Sequence, residues 1–373
     1  MKKNGFFSIL CKATISILIV FACGEIIFRA FFPEYRGYIL TKDITYGKKR
    51  YDVAILGGKT RSRTSDLTLD IKPTDHIILE FGDSVSVGYG LAFEDIFWNY
   101  WQRMLKLEGS DVKVISINSY GVNYTDNFLA MRTAVKKYKE LTPHIDGVVY
   151  QFNFNDILPY DSADLKHMEY LESKSSFITQ MIKKLVYVRT VYLNHSVMLR
   201  VLANKITHAL YRNSKIPCER LGIEALGEYS YCFGSKGLEE TSQKIWDRFE
   251  SDLKITKTEL GDIPFIILIS PIAELIEPEM KINVLSRPRR FDCATIDPRK
   301  QLTRITQESN INLIDPSVYM KTNFENYIKG DNPVRFYHIN DDDHFNEIGA
   351  KYFSEYSYMK IFKEGLIPIQ KNK

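Results

Sequence analysis

The chain has 373 residues, 45% of them hydrophobic, which is enough to bury a large core as one domain with an insertion. Its 50 basic and 46 acidic residues leave a net charge of only +4, and no long block of lysine or arginine occurs. This near balance argues against nucleic acid as a partner.

Residues 1–32 are predicted to hold a membrane segment. A pair of lysines precedes a mainly apolar stretch at 6–22, which Lys12 interrupts. With the Lys12 side chain extended towards the membrane surface, the stretch reaches the roughly 20 residues that a span requires. A signal anchor is the preferred interpretation; a lipoprotein signal ending at Cys23 and a cleaved signal peptide are the alternatives. All three predict that the rest of the chain lies outside the cytoplasm, in the periplasm or at the cell surface.

Residues 33–74 have little periodicity and are predicted to be a connector. From residue 75 to about 365, short apolar segments alternate with helical patterns, which is typical of a parallel sheet covered on both faces. The predicted strands are Ile77–Phe81, Val112–Ile117, Gly147–Phe152, Pro264–Ser270 and Ile311–Ile314. The predicted helices are Glu94–Leu107, Asp126–Lys139, Glu239–Leu260, Lys300–Ser309 and Glu347–Lys363.

The alternation is broken at about 160–260, where we predict a helical insertion that caps one edge of the sheet. The stretches Phe177–Leu185 and Val197–Leu210 are both amphipathic. A disulfide between Cys218 and Cys232 would suit an oxidising compartment, and unpaired thiols are the alternative.

A candidate nucleophile lies where the first predicted strand ends. Gly82-Asp83-Ser84 forms a turn between that strand and a helical pattern, which puts Ser84 at the carboxyl edge of the sheet, where ligands bind in open α/β folds. The start of a helix also favours developing negative charge. Taken alone, the three residues are equally a good turn and capping sequence. Ser86 is a second possible nucleophile, but it does not follow Gly-Asp.

Three more polar stretches fall at predicted strand-to-helix junctions: 118–123, 151–157 and 340–349. With the turn at Ser84, they resemble, in order, the four motif blocks of the SGNH/GDSL-type hydrolases. The resemblance covers about residues 75–160 and 260–360. The residues that match the family's functional positions are Ser84, Gly121, Asn155, Asp341 and His344.

The resemblance implies a three-layer α/β/α, flavodoxin-like fold and a serine esterase that needs no cofactor and no metal. It assigns Ser84 as nucleophile, His344 as general base and Asp341 as the acid that orients the imidazole. Asp342, two residues before His344, is an alternative acid. Asn153 departs from the family, which usually has glycine there.

The residue types suit this chemistry. A serine hydroxyl needs a base within hydrogen-bond reach, and a carboxylate stabilises the imidazolium that forms. The backbone of Gly121 and the side chain of Asn155 would donate to the oxyanion, as would the backbone N–H of Ser84. A divalent-cation site at 341–344 is a competing interpretation of the acidic run.

The sequence therefore predicts a membrane-anchored enzyme that hydrolyses O-acyl esters, with an O-acetyl group on an extracytoplasmic glycan or a small molecule as the substrate. An O-acyltransferase would use the same acyl-serine chemistry. A non-catalytic glycan-binding or assembly component on the same fold is the alternative from another class, and a lipase acting on membrane lipid is a further one. The oligomeric state is not predicted.

Overall fold

The computed structural model describes most of the domain that the sequence predicts and part of the N-terminal segment. The described residues are 16, 20–27, 30–31, 51–53, 60–62, 71–88, 91–118, 122–157, 198, 229–234, 237–277, 294–328, 335–337 and 343–369. The predicted insertion helix Phe177–Leu185, and Val197–Leu210 apart from residue 198, lie outside them.

The central sheet has five parallel strands in the order β4-β3-β5-β6-β7, as the alternation of elements predicts. Each strand matches its predicted segment to within two residues. A separate antiparallel pair, β1 and β2, falls within the predicted connector. The strands are β1 Tyr51–Val53, β2 Thr60–Ser62, β3 Ile77–Gly82, β4 Lys113–Asn118, β5 Ile145–Phe152, β6 Phe265–Ile269 and β7 Asn312–Ile314.

Nine α-helices have defined bounds among the described residues, and short 3₁₀ turns occur at Phe93–Asp95 and Phe154–Ile157. The helices are α1 Ser84–Val87, α2 Phe97–Leu107, α3 Tyr124–Leu141, α4 Tyr229–Cys232, α5 Glu239–Leu260, α6 Ala273–Ile276, α7 Pro298–Glu308, α8 Ser317–Ile328 and α9 Glu347–Tyr358.

Two helix boundaries differ from prediction by more than two residues. The predicted start of α2 at Glu94 is too early, because Ile96 has extended backbone and a 3₁₀ turn precedes it. The predicted helix to Lys363 ends as a π turn over Met359–Lys363. Helix α8 was not predicted at all.

Helices cover both faces of the sheet, which gives three layers. Side chains alternate along each strand, so Ile77, Leu79 and Phe81 of β3 face one core while Ile78 faces the other. Helices α3, α5 and α7 fill the first core, and α2, α8 and α9 fill the second. Both faces are buried, which explains why the strands are nearly continuous apolar runs.

Cys232 is a free thiol, so of the two alternatives that the sequence left open, the disulfide with Cys218 is excluded and the unpaired thiol holds for Cys232. Its side chain is fully buried in the same core as α5, where Trp246 donates a hydrogen bond to the Cys232 carbonyl at 3.1 Å. Burial raises the pKa of this thiol well above its usual value, so it behaves as a small apolar side chain.

The N-terminal segment is helical at residues 20–27, and Glu25 accepts a hydrogen bond from the backbone N–H of Met198 at 3.0 Å. Within the described part of the chain, we find no helix with both the length and the apolar character needed to cross a membrane.

Candidate active site

The predicted nucleophile follows β3, the second strand in the order of the five-stranded sheet. Ser84 is the first residue of α1, directly after β3, and its side chain is partly exposed. Asp83 caps this short helix, since its carboxylate accepts a hydrogen bond from the backbone N–H of Val85 at 2.9 Å. Gly88 ends the helix in the left-handed region, with φ of 71°. An added Cβ there would also come within 2.5 Å of Ile96, so both the turn and the packing require glycine.

The structure brings His344 to Ser84. The Nε2 atom of His344 lies 2.7 Å from the Ser84 hydroxyl oxygen, although the two residues are 260 positions apart. The other ring nitrogen, Nδ1, lies 2.8 Å from a carboxylate oxygen of Asp343. A carboxylate on Nδ1 accepts a hydrogen bond from it, which leaves Nε2 free to accept the serine proton.

The segment that carries His344 is fixed from its C-terminal side. Asn346 caps α9 by accepting hydrogen bonds from the N–H groups of Ile348 and Gly349, each at 3.0 Å. The Asn346 amide also donates to the carbonyl of Arg335 at 2.6 Å. A Cβ at Gly349 would lie 2.0 Å from the carbonyl oxygen of Phe336, so only glycine fits. The Asn and Gly that follow His344 therefore anchor the loop.

The turn after β5 supplies the polar groups beside this pair. Asp156 is buried and accepts hydrogen bonds from the Tyr150 hydroxyl at 2.9 Å and from the Asn153 N–H at 3.0 Å. The Asn153 amide lies 3.3 Å from Asp83 and 3.5 Å from Asp343, so it joins the nucleophile turn to the histidine loop. Asn155 lies in the same turn and is partly exposed; its Oδ1 has no hydrogen-bond partner among the described residues.

Burial controls the charge of the carboxyl groups around Ser84. It raises the pKa of Asp83 to about 6, although the Val85 N–H and His344 work in the opposite direction. Burial and the nearby Asp83 hold the pKa of Asp156 well above its usual value. Burial also raises the pKa of Glu80, on β3, to about 7. The carboxyl edge of the sheet therefore holds acids that are partly or wholly neutral near pH 7.

The predicted site residues fall into two groups. Ser84 and His344 are brought together, and Asn155 lies at the same edge of the sheet. Gly121 and Asp341 lie outside the described residues, as does the alternative acid Asp342, so their assignments stay predictions.

Two acids at the site were not considered from the sequence. Asp343, on Nδ1 of His344, belongs to the same acidic run as Asp341, and its adjacency to the histidine was the available signal. Glu80 interrupts an otherwise apolar strand, and a charged residue in a buried strand is the sequence signal that points to it.

No cluster of three or more metal-ligating side chains occurs within the described residues. Position 341 and position 342 are not among them, so the competing cation site at 341–344 is only partly covered by this finding.

No family model matches the chain, and no curated protein sequence matches it. Several solved structures do match the chain. A lipase/acylhydrolase from Enterococcus faecalis is 14% identical, with 80% of this chain and 99% of that chain covered and a TM-score of 0.40. A lipolytic protein of the G-D-S-L family from Veillonella parvula is 11% identical, with 77% and 98% covered and a TM-score of 0.37. An acetyl xylan esterase is 16% identical, with 77% and 100% covered and a TM-score of 0.38.

These structures are hydrolases of the kind that the sequence motifs resemble. Their TM-scores are below 0.5, and what points to a function in this chain is the geometry of Ser84, His344 and Asp343.

Proposed function

We propose that this protein is a serine carboxylic ester hydrolase. The observation that carries the proposal is the 2.7 Å contact between Ser84 Oγ and His344 Nε2, with Asp343 on the opposite ring nitrogen. A hydroxyl, an imidazole and a carboxylate in this order are the arrangement that activates a serine for acyl transfer. Helix capping would not require the imidazole to face the serine.

In the proposed reaction, His344 takes the hydroxyl proton as Ser84 attacks the ester carbonyl carbon. The tetrahedral intermediate collapses, the C–O bond to the leaving alcohol breaks, and His344 returns the proton to that alcohol. A water molecule, deprotonated by the same imidazole, then attacks the acyl-serine and releases the carboxylic acid and the free serine. Asp343 stabilises the imidazolium in both halves of the cycle.

Stabilisation of the oxyanion is assigned to the edge where β3, β4 and β5 end. The backbone N–H of Ser84 and the side-chain amide of Asn155 are the donors on the described elements, and Gly121 is the donor implied by the family resemblance. Asn155 follows β5, which pairs directly with β3 in the sheet, and this adjacency supports its assignment.

We propose an O-acetyl ester on an extracytoplasmic glycan as the substrate class, and a membrane-anchored protein with its catalytic domain outside the cytoplasm. Both proposals depend on the lysines and apolar stretch of the N-terminal segment, which predict export; the acetylated glycan is inferred from that location together with the family resemblance.

The test uses the full-length protein in mild detergent with p-nitrophenyl acetate as substrate. The parent should turn over, while Ser84→Ala and His344→Ala should each lose about 10⁴-fold or more in kcat. Asp146→Asn, a carboxylate at the far edge of the same sheet, is the matched control and should keep the parental rate. A parent without activity, or variants as active as the parent, would overturn the proposal.

A second experiment addresses the fate of the acyl group. Acetylated and deacetylated glycans should be supplied together, with products followed by mass spectrometry. Release of free acetate identifies a hydrolase. Acetate transferred to the second glycan, in an amount that depends on Ser84, would instead identify the O-acyltransferase.

A further inference from the structure

A buried polar cluster lies directly beneath the nucleophile turn. Glu80 is fully buried on β3 and pairs in register with Ser116 of β4. Side chains alternate along a strand, so Glu80 and Ser116 point to the same face as Gln151 of β5, the face that carries α2. Three neighbouring strands thus bring polar side chains to one point within a layer that is otherwise apolar.

Ser86 is the centre of this cluster and stands two residues after the nucleophile. Its hydroxyl oxygen is 2.5 Å from Glu80 Oε1 and 3.0 Å from Gln151 Oε1. Its carbonyl accepts hydrogen bonds from the Trp98 indole at 2.7 Å and from the Asn118 amide at 3.2 Å. Helix α1 is therefore fixed to three strands and to α2 through this one residue.

The cluster lies directly against the backbone of Gly82. A Cβ added at Gly82 would lie 2.0 Å from the Ser86 hydroxyl and 2.6 Å from Gln151 Oε1. The glycine that precedes Asp83 and Ser84 is thus required by the contact between the polar cluster and the backbone of the nucleophile turn.

The number of available hydrogens limits which hydrogen bonds the cluster can form. Ser116 accepts from Asn118 and donates to Glu80 Oε2, so its single hydrogen is used. Ser86 has one hydrogen but faces two acceptor oxygens, those of Glu80 and Gln151. If Glu80 is protonated it donates to Ser86, Ser86 donates to Gln151, and each of these contacts holds a hydrogen. If Glu80 is ionised, the Gln151 amide must turn over to supply the missing one.

The charges around Glu80 decide between these two arrangements. No lysine, arginine or histidine contacts its carboxyl group in the part of the chain that the structure describes. The hydrogen-bond donors on β4 and α1 are neutral serines, and the one ionisable group acting on it is the carboxyl of Asp83. Burial without a cation, next to a second acid, favours the neutral form.

We propose that Glu80 is a positioning residue which, as a neutral carboxylic acid, fixes Ser86 and thereby α1 with its nucleophile, and that esterase activity falls when this carboxyl ionises. This inference rests on the proposed function. Glu80 does not touch the reacting atoms. It acts by keeping the Ser84 hydroxyl and backbone N–H in line with His344 and the oxyanion donors, where a small displacement costs rate.

The experiment measures kcat and KM against pH for the full-length parent, Glu80→Gln, Glu80→Ala and the control Asp146→Asn. The parent should lose kcat on the alkaline side with an apparent pKa of about 7. Glutamine keeps the shape and cannot ionise, so Glu80→Gln should stay within about threefold of the parent below that pKa and should lack the alkaline loss. Asp146→Asn should reproduce the parental profile. Asp83→Asn removes the neighbouring acid, whose pKa is about 6, and so shows whether the alkaline loss comes from Asp83 rather than from Glu80.

Glu80→Ala should lower kcat across the whole pH range with little change in KM. If Glu80→Ala fails to fold, the pH profile of Glu80→Gln alone still tests the proposal. An alkaline loss that persists in Glu80→Gln would overturn the proposal.

The protonation state of Glu80 can also be measured without an activity assay. The infrared difference spectrum between parent and Glu80→Gln should show a carboxylic-acid C=O band that disappears as the pH rises, and its absence at low pH would also overturn the proposal. An inactive parent that keeps this band would overturn the proposed function and the activity half of the inference, and would leave the neutral carboxyl established.

Discussion

The two edges of the central sheet hold their carboxyl groups in different surroundings. At the amino edge, Asp75 lies 2.6 Å from the ammonium of Lys113, and Asp146 lies 2.9 Å from the ring of His76. All four side chains are partly exposed. Burial is the largest single influence on Asp75 and works to raise its pKa, but the hydrogen bonds from Lys113 and from the Lys72 backbone, with the charges of both lysines, together outweigh it and the pKa is lowered. Burial raises the pKa of Asp146, against the hydrogen bond and charge of His76.

At the carboxyl edge, Glu80, Asp83 and Asp156 are buried, and no described lysine or arginine contacts them. Burial raises the pKa of each. The amino edge thus satisfies its charges with partners and solvent, while the carboxyl edge gives up stability to hold groups in position around Ser84. Perturbed acids beside a nucleophile are typical of functional sites.

The largest effect is expected for the variant that removes the carboxylate on the His344 ring, and it identifies which acid orients the imidazole. Asp343→Asn should lower kcat by about 10⁴-fold, because an amide at this position favours the wrong imidazole tautomer. Steady-state hydrolysis of p-nitrophenyl acetate measures it. Asp341→Asn and Asp342→Asn are the matched controls; if one of them loses activity while Asp343→Asn does not, the assignment from the sequence is correct and the contact with Asp343 is not functional.

Asn155→Ala should lower kcat by about 10²- to 10³-fold with little change in KM, since a donor to the oxyanion acts mainly in the transition state. Asn323→Ala removes a partly exposed amide that bonds to the Tyr319 carbonyl on α8 and should have no effect on either constant. A rise in KM alone would make Asn155 a substrate-binding residue instead.

The stability cost at the carboxyl edge should be measurable with Glu80→Gln. The folded pKa of about 7 lies above the unfolded value of 4.5, so the stability linked to protonation is fully present below pH 4.5 and is lost as the pH rises through 7. The parent should therefore lose about 3 kcal/mol of unfolding free energy relative to Glu80→Gln over this window. Urea unfolding in a pH series measures it, and parallel curves would contradict it.

A smaller effect is expected at Asn153, the residue that stands where the family has glycine. Its amide spans Asp83 and Asp343 at 3.3 and 3.5 Å, and long hydrogen bonds of this kind are worth about 1 kcal/mol. Asn153→Gly and Asn153→Ala should therefore each lower kcat by about fivefold. If both match the parent, Asn153 does not couple the two loops.

The smallest effect belongs to the amino edge. Asp146→Asn should cost no more than about 1 kcal/mol of stability, as for other partly solvated pairs, and should leave activity unchanged. A loss of activity would show that the two edges of the sheet are energetically coupled.

The strands and most helices could be predicted because their signals are local. Apolar runs such as Ile77–Phe81 and helical periodicity along Glu239–Leu260 follow from the burial of one face or both. The sequence left the state of Cys232 open because the spacing between cysteines says nothing about burial, and Cys232 lies inside a core as a free thiol.

The sequence by itself determined the α/β alternation and the candidates Ser84 and His344, since each follows from a local pattern or a short motif. Only the tertiary structure decided that Asp343 faces the imidazole and that Glu80 holds Ser86. Those contacts depend on strand register and on which loops meet at one edge of the sheet. Residues on three strands meet at a single buried point, and no local sequence pattern indicates that they are close in space.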